Sequence, residues 1–138
     1  MQGGFLEIVL LGEIAMTIRD IKDRMKDLGV HQFYSFRRET RALPHVIGMD
    51  EELYGVTSGL WEGKRWMAAV TGRHIYFVSA NPIAKTEVKV IEKKDISAVH
   101  QKKGVIFSTV VLELEGTHIE LEHVVRASVD QFVRAVRD

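Results

Sequence analysis

The chain predicts an α+β fold in which seven short antiparallel strands make a small barrel or sandwich, preceded by helical segments and capped by one C-terminal helix. Three observations carry this expectation. Tyr54-Gly55-Val56-Thr57-Ser58-Gly59-Leu60-Trp61 and Lys64-Arg65-Trp66-Met67-Ala68-Ala69-Val70-Thr71 are two β-rich runs joined by Glu62-Gly63, which is the signature of a tight hairpin. Strand-like spacing then persists for about 75 residues after Gly48, broken by short turns. At the end the period changes, because Val125, Val129, Phe132, Val133 and Val136 fall at i, i+4, i+7, i+8 and i+11, one broad apolar helix stripe.

The elements follow in order. From Thr17, Ile18, Ile21, Met25 and Leu28 recur at i, i+3, i+7 and i+10, with Thr17 as cap, Asp20 three residues on, and Gly29 as the stop. A less regular helix is expected over residues 32–42, ending before Pro44. After the hairpin, Arg73-His74-Ile75-Tyr76-Phe77-Val78 extends the meander past Gly72, where a left-handed turn is expected. Residues 80–84 supply the next turn, and Thr86, Val88 and Val90 alternate with Glu87 and Lys89 as in a half-buried strand. A short strand at 96–99, a turn at Lys102-Lys103-Gly104, a strand through 109–115, a Gly116-Thr117 turn and a strand at 118–122 complete the seven. Parity places Ile75, Phe77, Val110, Leu112, Leu114, Ile119 and Leu121 inside, with Trp66 and Phe132. Arg126, Asp130, Arg134 and Asp138 form an expected ion-pair ladder on the other face of the last helix.

Composition bounds the function. At 138 residues the chain is long enough for one domain with its own core. The absence of cysteine excludes disulfides and thiolate chemistry and favours a cytoplasmic setting. Nineteen Lys and Arg balance nineteen Asp and Glu, so no overall field draws the protein to nucleic acid. Residues 17–45 are locally basic, with Arg37, Arg38 and Arg41 grouped on the second helix. Near the start, Phe5, Leu6, Ile8, Val9, Leu10 and Leu11 form an apolar segment too short to span a bilayer and, with Glu7 inside it and no basic lead, poorly built as a signal peptide. It is expected to pack on the barrel or on a partner, association being favoured, unless Met16 is the true start.

Seven strands and a C-terminal helix are the order of a pleckstrin-homology-like (PH-like) barrel. Residues 50–138 resemble the YokE-like bacterial PH domains, through Asp50-Glu51-Glu52-Leu53, Thr57-Ser58-Gly59-Leu60-Trp61-Glu62-Gly63 with Trp66, Val70-Thr71-Gly72-Arg73-His74-Ile75-Tyr76-Phe77, Ile96-Ser97-Ala98-Val99 and Lys102-Lys103-Gly104. The resemblance implies two parts, an N-terminal apolar segment and helical extension over 1–49 and a PH-like domain over 50–138. It also implies a non-catalytic module without cofactor. PH domains that grip phosphoinositides do so with basic residues around the first hairpin loop; here that loop is Glu62-Gly63, with Lys64 and Arg65 after it, so lipid binding there is disfavoured.

Other chemistry is thinly represented. The six histidines make no HExxH pair, and no G-x-S-x-G or P-loop occurs. His118, Glu120 and Glu122 share a strand face and are the one candidate metal set, with solvent exposure the simpler reading. Three functions are therefore weighed: first a protein-binding or self-associating module, second a peripheral binder of anionic membrane lipid, and last a metal-dependent or enzymatic protein. The expected contact residues are the apolar segment from Phe5 to Leu11, Arg37, Arg38 and Arg41, Lys64 and Arg65, and Lys102 and Lys103, meeting an unknown protein or peptide or a second copy.

Overall fold

The structure, a computed structural model, describes residues 17–30, 37–48, 50–80 and 85–138. The apolar segment at 5–11 and the turn at 81–84 lie outside them, as does Met16. Helix α1 spans Ile18–Asp27, and Thr17 caps it in a reciprocal box with Asp20, each accepting from the other's backbone N–H at 3.1 and 2.9 Å. Helix α2 spans Arg37–Val46 and runs through Pro44 instead of stopping before it. Proline removes one backbone donor, yet Leu43 and Ile47 on either side of it are buried, and Ile47 N–H still reaches Leu43 O at 3.0 Å. Tertiary packing outweighs the local defect.

The strands are β1 Gly55–Trp61, β2 Lys64–Val70, β3 His74–Ser79, β4 Glu87–Glu92, β5 Ile96–Lys103, β6 Phe107–Leu114 and β7 Thr117–Val125, and α3 Arg126–Arg137 closes the chain. They form one antiparallel sheet in the order β4-β3-β2-β1-β7-β6-β5. The Glu62-Gly63 turn has positive φ at both residues, as the twist of a two-residue hairpin demands. Gly72 does not share that conformation, so its turn needs no left-handed residue. Strand β5 runs on through Lys103, which moves the following turn to residues 104–106 and puts both lysines on a strand.

One hinge shapes the sheet. Strand β1 pairs with β2 along its whole length but with β7 only at Leu60↔Glu122, and from there α3 takes over the edge. The Gln131 amide stands in for a strand, accepting from Val56 N–H at 3.1 Å and donating to Val56 O at 2.6 Å. A Cβ on Gly55 would lie 2.8 Å from the Ala135 methyl and one on Gly59 2.9 Å from Glu122 O, so both glycines allow the close approach.

Two apolar cores result. The inner one lies between the sheet halves and α3, and holds Trp66, Ile75, Phe77, Val110, Leu112, Ile119, Leu121, Phe132 and Val133, with Leu114 at its margin. The outer one lies on the opposite face of β1 to β3, where Ile21, Met25 and Val30 and Leu43 and Ile47 of the helical region cover Val56, Met67, Ala69, Tyr76 and Val78. Strand β4 is left beyond this layer. Val88 and Val90, expected to be half-buried, stand 39% and 52% exposed, because the helices' cover stops at Tyr76 and Val78, their neighbours on β3. Val125 caps α3 and is exposed, outside the helix stripe. Arg126 donates to Val105 O at 3.4 Å and Arg137 to Val99 O at 3.2 Å, and the expected ladder of ion pairs does not form among the described residues.

Candidate binding surfaces

At the end of the barrel where α3 finishes, a buried carboxylate organises the chain. Glu51 is only 5% exposed in its side chain, and it accepts from the Thr71 hydroxyl, from Tyr76 Oη at 2.9 Å and from His74 Nδ1 at 3.1 Å. Thr71 Oγ1 in turn accepts from the His74 backbone N–H at 3.1 Å. Burial pushes the Glu51 carboxyl up, but hydrogen bonds from Thr71, His74 and Tyr76 and the charge on the His74 ring outweigh it and hold the group below the usual glutamate value. Burial, followed by the hydrogen bond to Glu51 and its charge, pushes the Tyr76 phenol up to about 12. The network ties the segment before β1 to the β2–β3 turn. Arg73 sits over its outer side, donating to both Asp50 carboxylate oxygens at 2.9 Å.

A cleft of about 530 Å³ opens beside this network, between Lys93, Lys94 and Ser97 on one wall and Val136, Arg137 and Asp138 on the other. It adjoins a smaller hollow of about 270 Å³ lined by Tyr54 and Gln131. Its charges largely answer one another: Lys94 pairs with Glu92 at 3.4 Å, and Arg137 donates to a backbone carbonyl. The one hydroxyl in its lining, that of Ser97, donates to Glu113 O at 3.2 Å.

At the other end, Trp61 packs against Trp66 and Phe77 with ring centroids 5.7 and 5.1 Å apart. Lys89 Nζ lies 4.5 Å from the Trp61 centroid and Lys64 Nζ 4.9 Å from that of Trp66, while Lys64 also pairs with Glu87. Arg65 reaches Ser58 Oγ at 3.3 Å. The two basic residues after the first hairpin are thus engaged within the barrel mouth. Arg38 and Arg41 are exposed on α2, which Arg37 begins, and Lys102 and Lys103 are exposed at the end of β5. The expected cations are spread over separate elements and converge on no common point.

The turn after Lys103 is the most exposed apolar feature among the described residues. Val105 is 90% and Ile106 69% exposed, and Phe107 stacks edge-on against His123 with centroids 5.3 Å apart. Gly104 N–H donates to Phe107 O at 2.9 Å, where a Cβ would collide, so the turn is held in shape. Lys102, Lys103 and Arg126 flank it, and residues 96–112 contain no acidic side chain.

The Glu51 network, whose members are 20 to 25 residues apart, has no signal in the sequence. A signal for the doubly covered sheet was present, since Trp66-Met67-Ala68-Ala69-Val70 is apolar without alternation. Among the described residues no cluster of three or more His, Asp or Glu side chains is arranged to hold a metal, His118, Glu120 and Glu122 included. No helix among them is long and apolar enough to cross a membrane.

A seven-stranded antiparallel barrel closed by a C-terminal helix has the build of a PH-like domain. The family described as "Bacterial PH domain" matches residues 47–138, about two-thirds of the chain, and the protein belongs to that family. A comparison with the curated proteins found no match.

Proposed function

We propose that this protein is a non-catalytic binding or scaffold module of the YokE-like kind, from a bacterium or phage, that acts in the cytoplasm through protein–protein contacts or self-association. The observation that carries this reading is the β4 edge, a strand with both faces largely open to solvent among the described residues and with two exposed valines, beside strands β1 to β3 that are covered on both faces. Main-chain pairing at such an edge needs no special side chains. Light scattering across a range of protein concentrations, with a pull-down from the native host, tests it. Concentration-dependent mass or a partner whose capture is lost on Val88→Lys supports the reading; a strictly monomeric chain that captures nothing contradicts it.

A second reading rests on the Val105-Ile106-Phe107 turn with its flanking Lys102, Lys103 and Arg126. Aliphatic side chains projecting beyond a collar of cations suit an anionic bilayer surface. Vesicles containing phosphatidylserine separate it from the first. Salt-sensitive pelleting abolished by Val105→Asp favours the membrane, and no pelleting removes it.

A further inference from the structure

We infer that β4 is a homotypic edge: two copies of this chain pair their β4 strands antiparallel about a two-fold axis, with Val88 opposite the second copy's Val88. The inference rests on the protein-contact reading and names its partner. Lys93 N–H donates to Arg73 O at 2.8 Å. Antiparallel alternation then turns the backbone groups of residues 87, 89 and 91 toward β3, and those of Val88, Val90 and Glu92 away from the sheet. Donors and acceptors without a partner among the described residues therefore coincide with the exposed valines.

Both edges carry charged side chains, but only the other edge also has a broken register. Strand β5 has a register break between Ile96 and Ala98 and ends in two lysines, both devices that discourage pairing. Strand β4 keeps an unbroken register with β3 from Ser79↔Glu87 to His74↔Glu92, with no proline in it.

Self-complementarity selects the second copy as occupant. With Val88 on the axis, Thr86 meets Val90 and Glu87 meets Lys89 twice, at the closely spaced positions that are not hydrogen-bonded. Sliding one copy by two residues sets Lys89 against Lys89. Sliding by four sets Val88 against Glu92 and separates Glu87 from Lys89. Of these three registers the first alone satisfies both the charges and the valine pair. Glu87 and Lys89 already share the barrel-mouth side of the strand with Lys64 and Trp61, so the new ion pairs form there without turning the strand.

The test uses the whole chain in sedimentation velocity, with its thermal melt as a control for folding. The 15.7 kDa chain is expected to double in mass with concentration. Val88→Pro deletes an N–H that β3 does not use, and should abolish the doubling while the melt is retained. Lys89→Glu should weaken the dimer by about tenfold and the paired swap Glu87→Lys with Lys89→Glu should restore it. Because the chain has no cysteine, Val88→Cys should give a disulfide-linked dimer on mild oxidation, and Ser97→Cys on β5 should not. A dimer that ignores Val88→Pro and leaves Val88→Cys uncrosslinked overturns the inference but leaves self-association through another surface standing. A monomer at every concentration overturns it, and capture of a different protein through β4 would then keep the protein-contact reading with a foreign strand in place of the second copy.

Discussion

The two halves of the sheet are built from the same antiparallel pairing and buried differently. Strands β1 to β3 are covered on both faces, by α3 and the opposing strands on one side and by α1 and α2 on the other. Strand β7 shows the one-sided pattern instead, with Ile119 and Leu121 buried and His118 and Glu122 exposed. The helical region that seals the first half contributes Ile21, Met25, Val30 and Leu43, all fully buried and all outside the residues that match the family. The difference teaches that the helical lead-in is a structural layer of the barrel, and that where this layer stops, at β4, no described residue covers Val88 and Val90.

The largest effect is expected at the core both halves share. Phe132→Ala should cost ~3–5 kcal/mol in denaturant unfolding, since the ring is fully buried between them; a cost under ~1 kcal/mol would detach α3 from the barrel. Next comes the contrast itself. Met67→Ala, outward-facing on β2, should cost about 2–5 kcal/mol, whereas Glu120→Ala, outward-facing on β7, should stay within about 0.5 kcal/mol. Equal costs would erase the distinction between the halves.

The Glu51 network gives a smaller effect with a pH signature. Glu51→Gln should cost ~2 kcal/mol at neutral pH, because charged hydrogen bonds to Thr71, His74 and Tyr76 become weaker or mismatched. The folded-state pKa of Glu51 is lowered, so its contribution is fully present above the ordinary value near 4.5 and is lost as pH falls through the folded value. Stability profiles of the two proteins should converge in acid and separate above about pH 5. Parallel profiles would mean that the carboxylate is not the charged centre of the network.

Much of the architecture was legible because it is periodic. Alternation in 110–114 and 118–122 gave inner residues directly, the Glu62-Gly63 turn fixed one hairpin, and the Thr17–Asp20 box marked a helix start. What escaped depends on contacts between distant segments. Val88 and Val90 alternate like half-buried residues, and only the extent of the helical layer shows that nothing among the described residues encloses them. Pro44 breaks a helix locally, and only the burial of Leu43 and Ile47 shows why this one continues. Glu51 reads as part of an acidic run until Thr71, His74 and Tyr76 are folded over it.

The most direct test of the layered sheet is a thermal melt of the chain beginning at Ile47, where the family match starts, beside that of the whole protein, with a dye that binds exposed apolar surface. Removal of α1 and α2 uncovers Met67, Ala69, Tyr76 and Val78, so the shortened chain should melt well below the full one and bind the dye. Equal melting temperatures with no dye binding would contradict the account and make the helices an appendage.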